Sequence, residues 1–154
     1  MIDDLLIDRL ARNAEDAPQA PLLPRFTLTN AEAWAQSGAV AAWLIAQGFG
    51  PGALSIALPA AADSSERVVL LLGALRAGAL VVETAGAAAL AFALEDGRLV
   101  SPDGIAFAAL AHCPVDAAVA ERRLHIRADT PARIVGGVCR RHGDFVTVAE
   151  AVSA

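Results

Sequence analysis

The stretch LSIALPAAADSSERVVLLLGALRAGALVV, residues 54–82, sets two short apolar runs on either side of a longer one. Leu54 to Leu58 has strand length and is closed by Pro59, which cannot donate to a sheet ladder. Asp63 and Glu66 stand three residues apart as a helix-start signal. Val68, Leu71, Leu72 and Leu75 recur at helical spacing toward a core, and Gly78 is placed to end the helix at about Ala77. Ala79 to Val82 then has the continuous apolar character of a parallel strand buried on both faces. Strand, helix and strand in this order predict a βαβ crossover, right-handed by the usual rule.

The flanking sequence extends that unit. Leu5, Leu6, Ile7 and Leu10 predict an opening helix over about residues 2–14, which Pro18, Pro21 and Pro24 convert to an extended segment. Thr29 followed by Glu32 is a capping-box pattern, and Trp34, Ala41, Leu44 and Ile45 give the second helix its apolar stripe. Gly48 ends it, and Gly50-Pro51-Gly52 is a turn. Downstream, Ala87 to Leu94 predicts a fourth helix and Arg98 to Val100 a strand, while Ser101-Pro-Asp-Gly104 reads as a turn with proline second. Leu124 to Arg127 and Ala132 to Val135 predict further strands. With no repeat, charge block or low-complexity linker, the expectation is an α/β fold: one three-layer domain over residues 1–154, a small and mostly parallel sheet flanked by helices.

Composition excludes several functions. The net charge of −5 argues against a basic face for nucleic acid or anionic lipid. All twelve basic residues other than histidine are arginine. With no lysine there is neither a Schiff base nor a Walker-type loop, both of which need a lysine amine. Val68 to Leu94 is apolar enough to raise a membrane span, but Arg76 and Glu83 interrupt it, and Gly73, Gly78 and Gly86 punctuate it as helix and strand ends. Cys113 and Cys139 form no paired motif, and no signal-peptide pattern opens the chain, which predicts a reducing cytoplasm.

Four segments together resemble a known family. Leu28-Thr-Asn-Ala-Glu32 resembles a helix start of the form LTYAEL, and Gly48-Phe-Gly-Pro-Gly52 with Leu54 to Pro59 resembles GVGPGDRVALLLP. Gly73 to Val82 resembles GALKAGAVVVPLNP, and Ala88 to Val100 is similar to ELAYRLEDSGARVLV. These motifs belong to the N-terminal subdomain of the adenylate-forming superfamily of acyl-CoA synthetases, luciferases and adenylation domains. The resemblance covers about residues 1–100 well and the remainder loosely, and implies a truncated, AMP-binding-enzyme-like N-terminal domain.

The departure comes where that family's chemistry begins. Members carry a Ser/Thr/Gly-rich phosphate loop, TSGTTGxPKG, after a strand like Asp129 to Val135, whereas here Gly136-Gly-Val-Cys-Arg-Arg-His-Gly143 follows. This is either a degenerate loop or, the reading we favour, a deletion that leaves Gly137, Val138 and His142 matching a later KGVxxxH. Both readings lack the hydroxyls and lysine that position phosphates. The chain also stops before the family's aromatic nucleotide motif, its ribose-binding aspartate and the domain bearing the adenylation lysine. No catalytic, cofactor-binding or metal-ligating residue can be carried over, and no cofactor is expected.

Four side groups have a second possible role. Gly136, Gly137, Arg140, Arg141 and His142 could receive an anion if a helix began there. His112, Cys113, His125 and His142 include the residue types of metal or Cys–His sites but lack ligand spacing. Trp34 and Trp43 read as packing residues, and Asp63 and Glu66 as caps rather than acid–base pairs. Three functions follow: a non-catalytic pseudoenzyme acting through self-association or an acyl-activating enzyme and carrier-protein system; half of a split ligase completed by another chain; or an acyl-chain or small-molecule binder using the crevice at the strands' carboxyl ends.

Overall fold

A computed structural model describes residues 4–24, 26–52, 54–59, 64–83, 88–96, 98–112, 114–115 and 117–152. The predicted βαβ unit is present as β1 (Ser55–Ala57), α3 (Ser65–Ala77) and β2 (Leu80–Val82). It is preceded by α1 (Leu6–Asp16) and α2 (Asn30–Ala46). β1 and β2 are parallel with Ile56 opposite Val81, and β6 (Pro131–Val135) joins β2 in parallel through Val81 and Arg133. Two strands complete the sheet: β3 (Leu90–Ala91), parallel to β1, and β7 (Val138–Arg141), antiparallel to β6. The order is β3-β1-β2-β6-β7, a mostly parallel sheet flanked by helices, and the architecture is three-layer α/β.

α3 is buried along its whole length from Arg67 to Ala77, not along one stripe, because the sheet and α2 enclose it. A helix that is apolar all round needs such an enclosure. Its ends are locally encoded: the Ser64 hydroxyl accepts from the Arg67 amide at 3.2 Å, and Gly78 closes it at φ 79°. Ser64 is thus the observed cap, while Asp63, the cap expected from sequence, lies outside the described residues. Glu66, in the first turn of the helix, receives hydrogen bonds from Arg98 (2.8 Å) and the Leu99 amide (3.1 Å). The capping box of α2 forms as expected, with Thr29 Oγ1 accepting from the Glu32 amide at 3.1 Å and Glu32 Oε1 from the Thr29 amide at 3.0 Å.

The structure corrects two sequence expectations. The helix predicted over Ala87 to Leu94 does not form among its described residues: Leu90–Ala91 is β3 and Ala93–Glu95 is β4, which pairs antiparallel with β5 (Arg98–Val100). Alanine's helix preference yields there to the open edge of β1, whose backbone groups β3 satisfies. Gly86 and Ala87 lie outside the described residues. The strand predicted over Leu124 to Arg127 is instead the turn that ends α5 (Ala117–Arg123), where the amides of Leu124 and His125 bond to Glu121 and Arg122. Short helices α4 (Phe107–Leu110) and α6 (Val148–Val152) were not anticipated.

Arg122 fastens α5 to the helical layer by donating to the carbonyls of Phe49 and Ala77, both at 2.7 Å, near the ends of α2 and α3. A cation at these carboxyl-terminal ends also suits the helix dipoles. Arg123 pairs with Asp8 of α1 through both carboxylate oxygens. Among the described residues no helix is long and apolar enough to cross a membrane.

Candidate functional site

The segment that departs from the resembled family folds as a tight hairpin. Val135 of β6 faces Val138 of β7, so Gly136 and Gly137 are the two central residues, with φ of 56° and 79°. Positive φ at both positions is the requirement of a primed two-residue turn, and Gly-Gly meets it without strain. No helix begins after these glycines. β7 runs to Arg141, and His142–Asp144 is a single 3₁₀ turn, so the helix terminus that the anion expectation needed is absent.

The five residues of that expectation diverge. The Gly136 amide donates to the Glu83 carboxylate at 2.8 Å, so the turn already holds an anion from its own chain. The Arg140 guanidinium lies 5.1 Å from the centroid of the Phe145 ring and reaches the Asp144 carbonyl, while the Arg141 side chain is exposed and its amide bonds Asp144 at 2.8 Å. His142 is buried, with Nε2 lacking a hydrogen-bond partner among the described residues. Burial, assisted by the charge of Arg123, pushes its pKa down to about 4.

Behind the hairpin, the carboxyl ends of the parallel strands carry two buried arginines that the sequence reading did not single out. Arg67, in the first turn of α3, donates from Nε to the Pro59 carbonyl at 2.9 Å. Arg133, on β6, donates to the Ala151 carbonyl at 2.7 Å. Burial lowers the pKa of both, and Arg67 lowers that of Arg133 further while Glu83 opposes the change. Each of these arginines is thus tied to a backbone carbonyl of its own chain.

The other residues considered from sequence scatter. His112 and His125 are exposed, and so is the free Cys139; Cys113 lies outside the described residues. Among the described residues no three His, Cys, Asp or Glu side chains gather as a metal site. Trp34 and Trp43 are half-buried and pack on the core, and Trp34 additionally carries the guanidinium of Arg76, 3.6 Å above its ring. Only their i, i+9 spacing was visible in the sequence; nothing local links Trp34 to an arginine on another helix.

No protein-family model matches the chain, and no curated protein sequence matches it. Solved structures do. The crystal structure of VinN superposes with a TM-score of 0.59 at 20% identity, covering 92% of this chain and 46% of that one. The complex structure of VinN with L-aspartate superposes with a TM-score of 0.60 at 21% identity, covering 97% of this chain and 51% of that one. The chain thus spans about half the length of the solved chains it resembles, and the likeness is one of fold.

Proposed function

We propose that this chain is a non-catalytic, half-length relative of the adenylate-forming fold that works by protein–protein association, either with a second copy or with an acyl-activating enzyme and its carrier protein. The observation that carries the reading is the Gly136-Gly137 hairpin. Where the resembled family has a phosphate loop, this chain has a two-residue turn whose first amide is occupied by Glu83, and it has no lysine to place against a phosphate. Supporting it, Val138 on the edge strand is 60% exposed, and Leu124, Val115 and Val146 are each more than half exposed. Val138 stands on the outer strand of the sheet, and an apolar side chain there favours a covering partner.

Two measurements test this. Light scattering at tens of micromolar is expected to show a dimer or larger species for the pure chain, or a stoichiometric complex with the partner system; a monomer that binds neither removes the association. ATP–pyrophosphate exchange with a carboxylic acid is expected to be absent for the chain alone, and turnover would overturn the non-catalytic reading.

One observation favours a second reading. The chain aligns with about half of each VinN chain, and in the split-ligase reading the phosphate loop and lysine come from another polypeptide. L-Aspartate, bound in one VinN structure, is then the first acid to try. Exchange that appears only when such a second polypeptide is added supports this reading, and a silent reconstituted pair rejects it.

A further inference from the structure

A cavity of about 390 Å³ opens between α1, α2, α3 and α5, away from the hairpin and sharing no residue with it. That volume lies within the range of small-molecule pockets. Its walls include Ile7, Val115 and Val119, and one side is formed by Arg76, which is only 7% exposed.

Among the described residues Arg76 has no counter-ion. One guanidinium nitrogen donates to the Trp34 carbonyl (2.7 Å) and to the Ser37 hydroxyl (3.0 Å), and the guanidinium carbon lies 3.6 Å from the centroid of the Trp34 ring. These partners are neutral, and a guanidinium has five N–H donors. No described carboxylate pairs with it. Asp8, which also lines the cavity, is already engaged: Arg123 donates to both of its oxygens at 2.9 and 2.7 Å, and the Leu5 amide adds a bond at 2.8 Å. Burial raises the carboxyl's pKa, but these bonds outweigh it and hold the group below its ordinary value. With Asp8 and Arg123 cancelling, the described residues of the cavity wall leave one positive charge uncompensated. A buried cation without a counter-charge is costly, and an anion that enters offsets that cost. Burial lowers the Arg76 pKa to about 10, which still leaves it cationic at neutral pH.

We propose that this cavity binds a small carboxylic acid with a short apolar tail, its carboxylate on Arg76 and its tail against Ile7, Val115 and Val119. The site lies apart from the β6–β7 hairpin and the carboxyl edge of the sheet, and shares only Val115 with the exposed apolar surface named above. Gly38 helps form it: a Cβ there would lie 3.0 Å from one Arg76 nitrogen and 3.4 Å from Val115 Cγ2, so glycine leaves room for the guanidinium beside α2.

The test uses the whole chain at neutral pH, with hexanoate as probe and hexanamide and acetate as controls, following the Trp34 indole N–H resonance. Hexanoate is expected to bind saturably and at least about tenfold more tightly than hexanamide, since a charge-assisted hydrogen bond replaces a neutral one. It should also bind more tightly than acetate. Arg76→Met is expected to erase the preference for the acid. Because Arg76 also bridges α2 and α3, that variant could fail to fold, so Ala120→Trp is the second arm. Ala120 is an exposed lining residue, and its replacement fills the cavity while leaving Arg76 intact. It should abolish the hexanoate shift. Equal affinity for hexanoate and hexanamide, equal affinity for acetate, a shift that survives Ala120→Trp, or no saturation below about 10 mM would each overturn the proposal.

Discussion

His142 sits at the end of β7 with 3% of its surface exposed, and its pKa is held near 4 against an ordinary 6.5. The folded chain therefore keeps it neutral where the unfolded chain would protonate it. Its stabilising contribution is complete above about pH 6.5 and is lost as pH falls through about 4, a swing of about 3 kcal/mol for this gap. Chemical denaturation of the wild type and His142→Leu between about pH 7 and pH 4 should show a flatter profile for the variant; parallel profiles would mean that the imidazole is solvated. Thr29→Ala should cost about 1 kcal/mol by removing one half of the α2 capping box, read as a lower denaturation midpoint at unchanged slope. Residues of the second kind were legible because Thr29 and Glu32 satisfy each other's amides within one turn. His142 was visible only as a letter, since its burial depends on the Ala128 to Thr130 segment, whose carbonyls receive the amides of Gly143 and His142.

Among elements, the closest approach is that of α2 and α3. A Cβ on Gly73 would lie 2.5 Å from Val40 Cγ1 and 2.7 Å from Val40 Cβ, too close for a β-branched side chain to yield. Gly73→Ala gains about 1 kcal/mol of helix propensity, yet overpacking of about 1–3 kcal/mol should outweigh it. Thermal melts should show the single variant destabilised, and Val40→Ala added to it should recover part of the loss; additive losses would exclude a direct clash. The βαβ unit was legible because every boundary carries local chemistry: Pro59 after β1, Gly78 after α3, an unbroken apolar run in β2. Ala87 to Leu94 misled because composition favours a helix while the vacant edge of β1 recruits Leu90 and Ala91 as a strand. The Asp96-Gly97 pair was the available signal for the β4–β5 hairpin, and Gly136-Gly137 for β6–β7, but resemblance drew the second into a loop reading.

At the scale of the molecule, the sheet ends in β7, whose outer edge bears the exposed Val138 and Cys139. If association covers this edge, folding and assembly are linked, and stability must depend on protein concentration. For a dimer, a hundredfold increase in concentration contributes about 1.4 kcal/mol per protomer, which raises the midpoint of a domain this size by roughly 3–6 °C. Melts of the pure chain from about 2 to about 200 micromolar should therefore shift upward. Val138→Lys should remove the shift while leaving the dilute midpoint nearly unchanged, because a lysine on an open strand edge opposes pairing without disturbing the core. A concentration-independent midpoint in the wild type would exclude self-association and leave a different chain as the cover. A shift that persists in Val138→Lys would move the interface away from β7 to another exposed apolar surface, such as that around Leu124 and Val115.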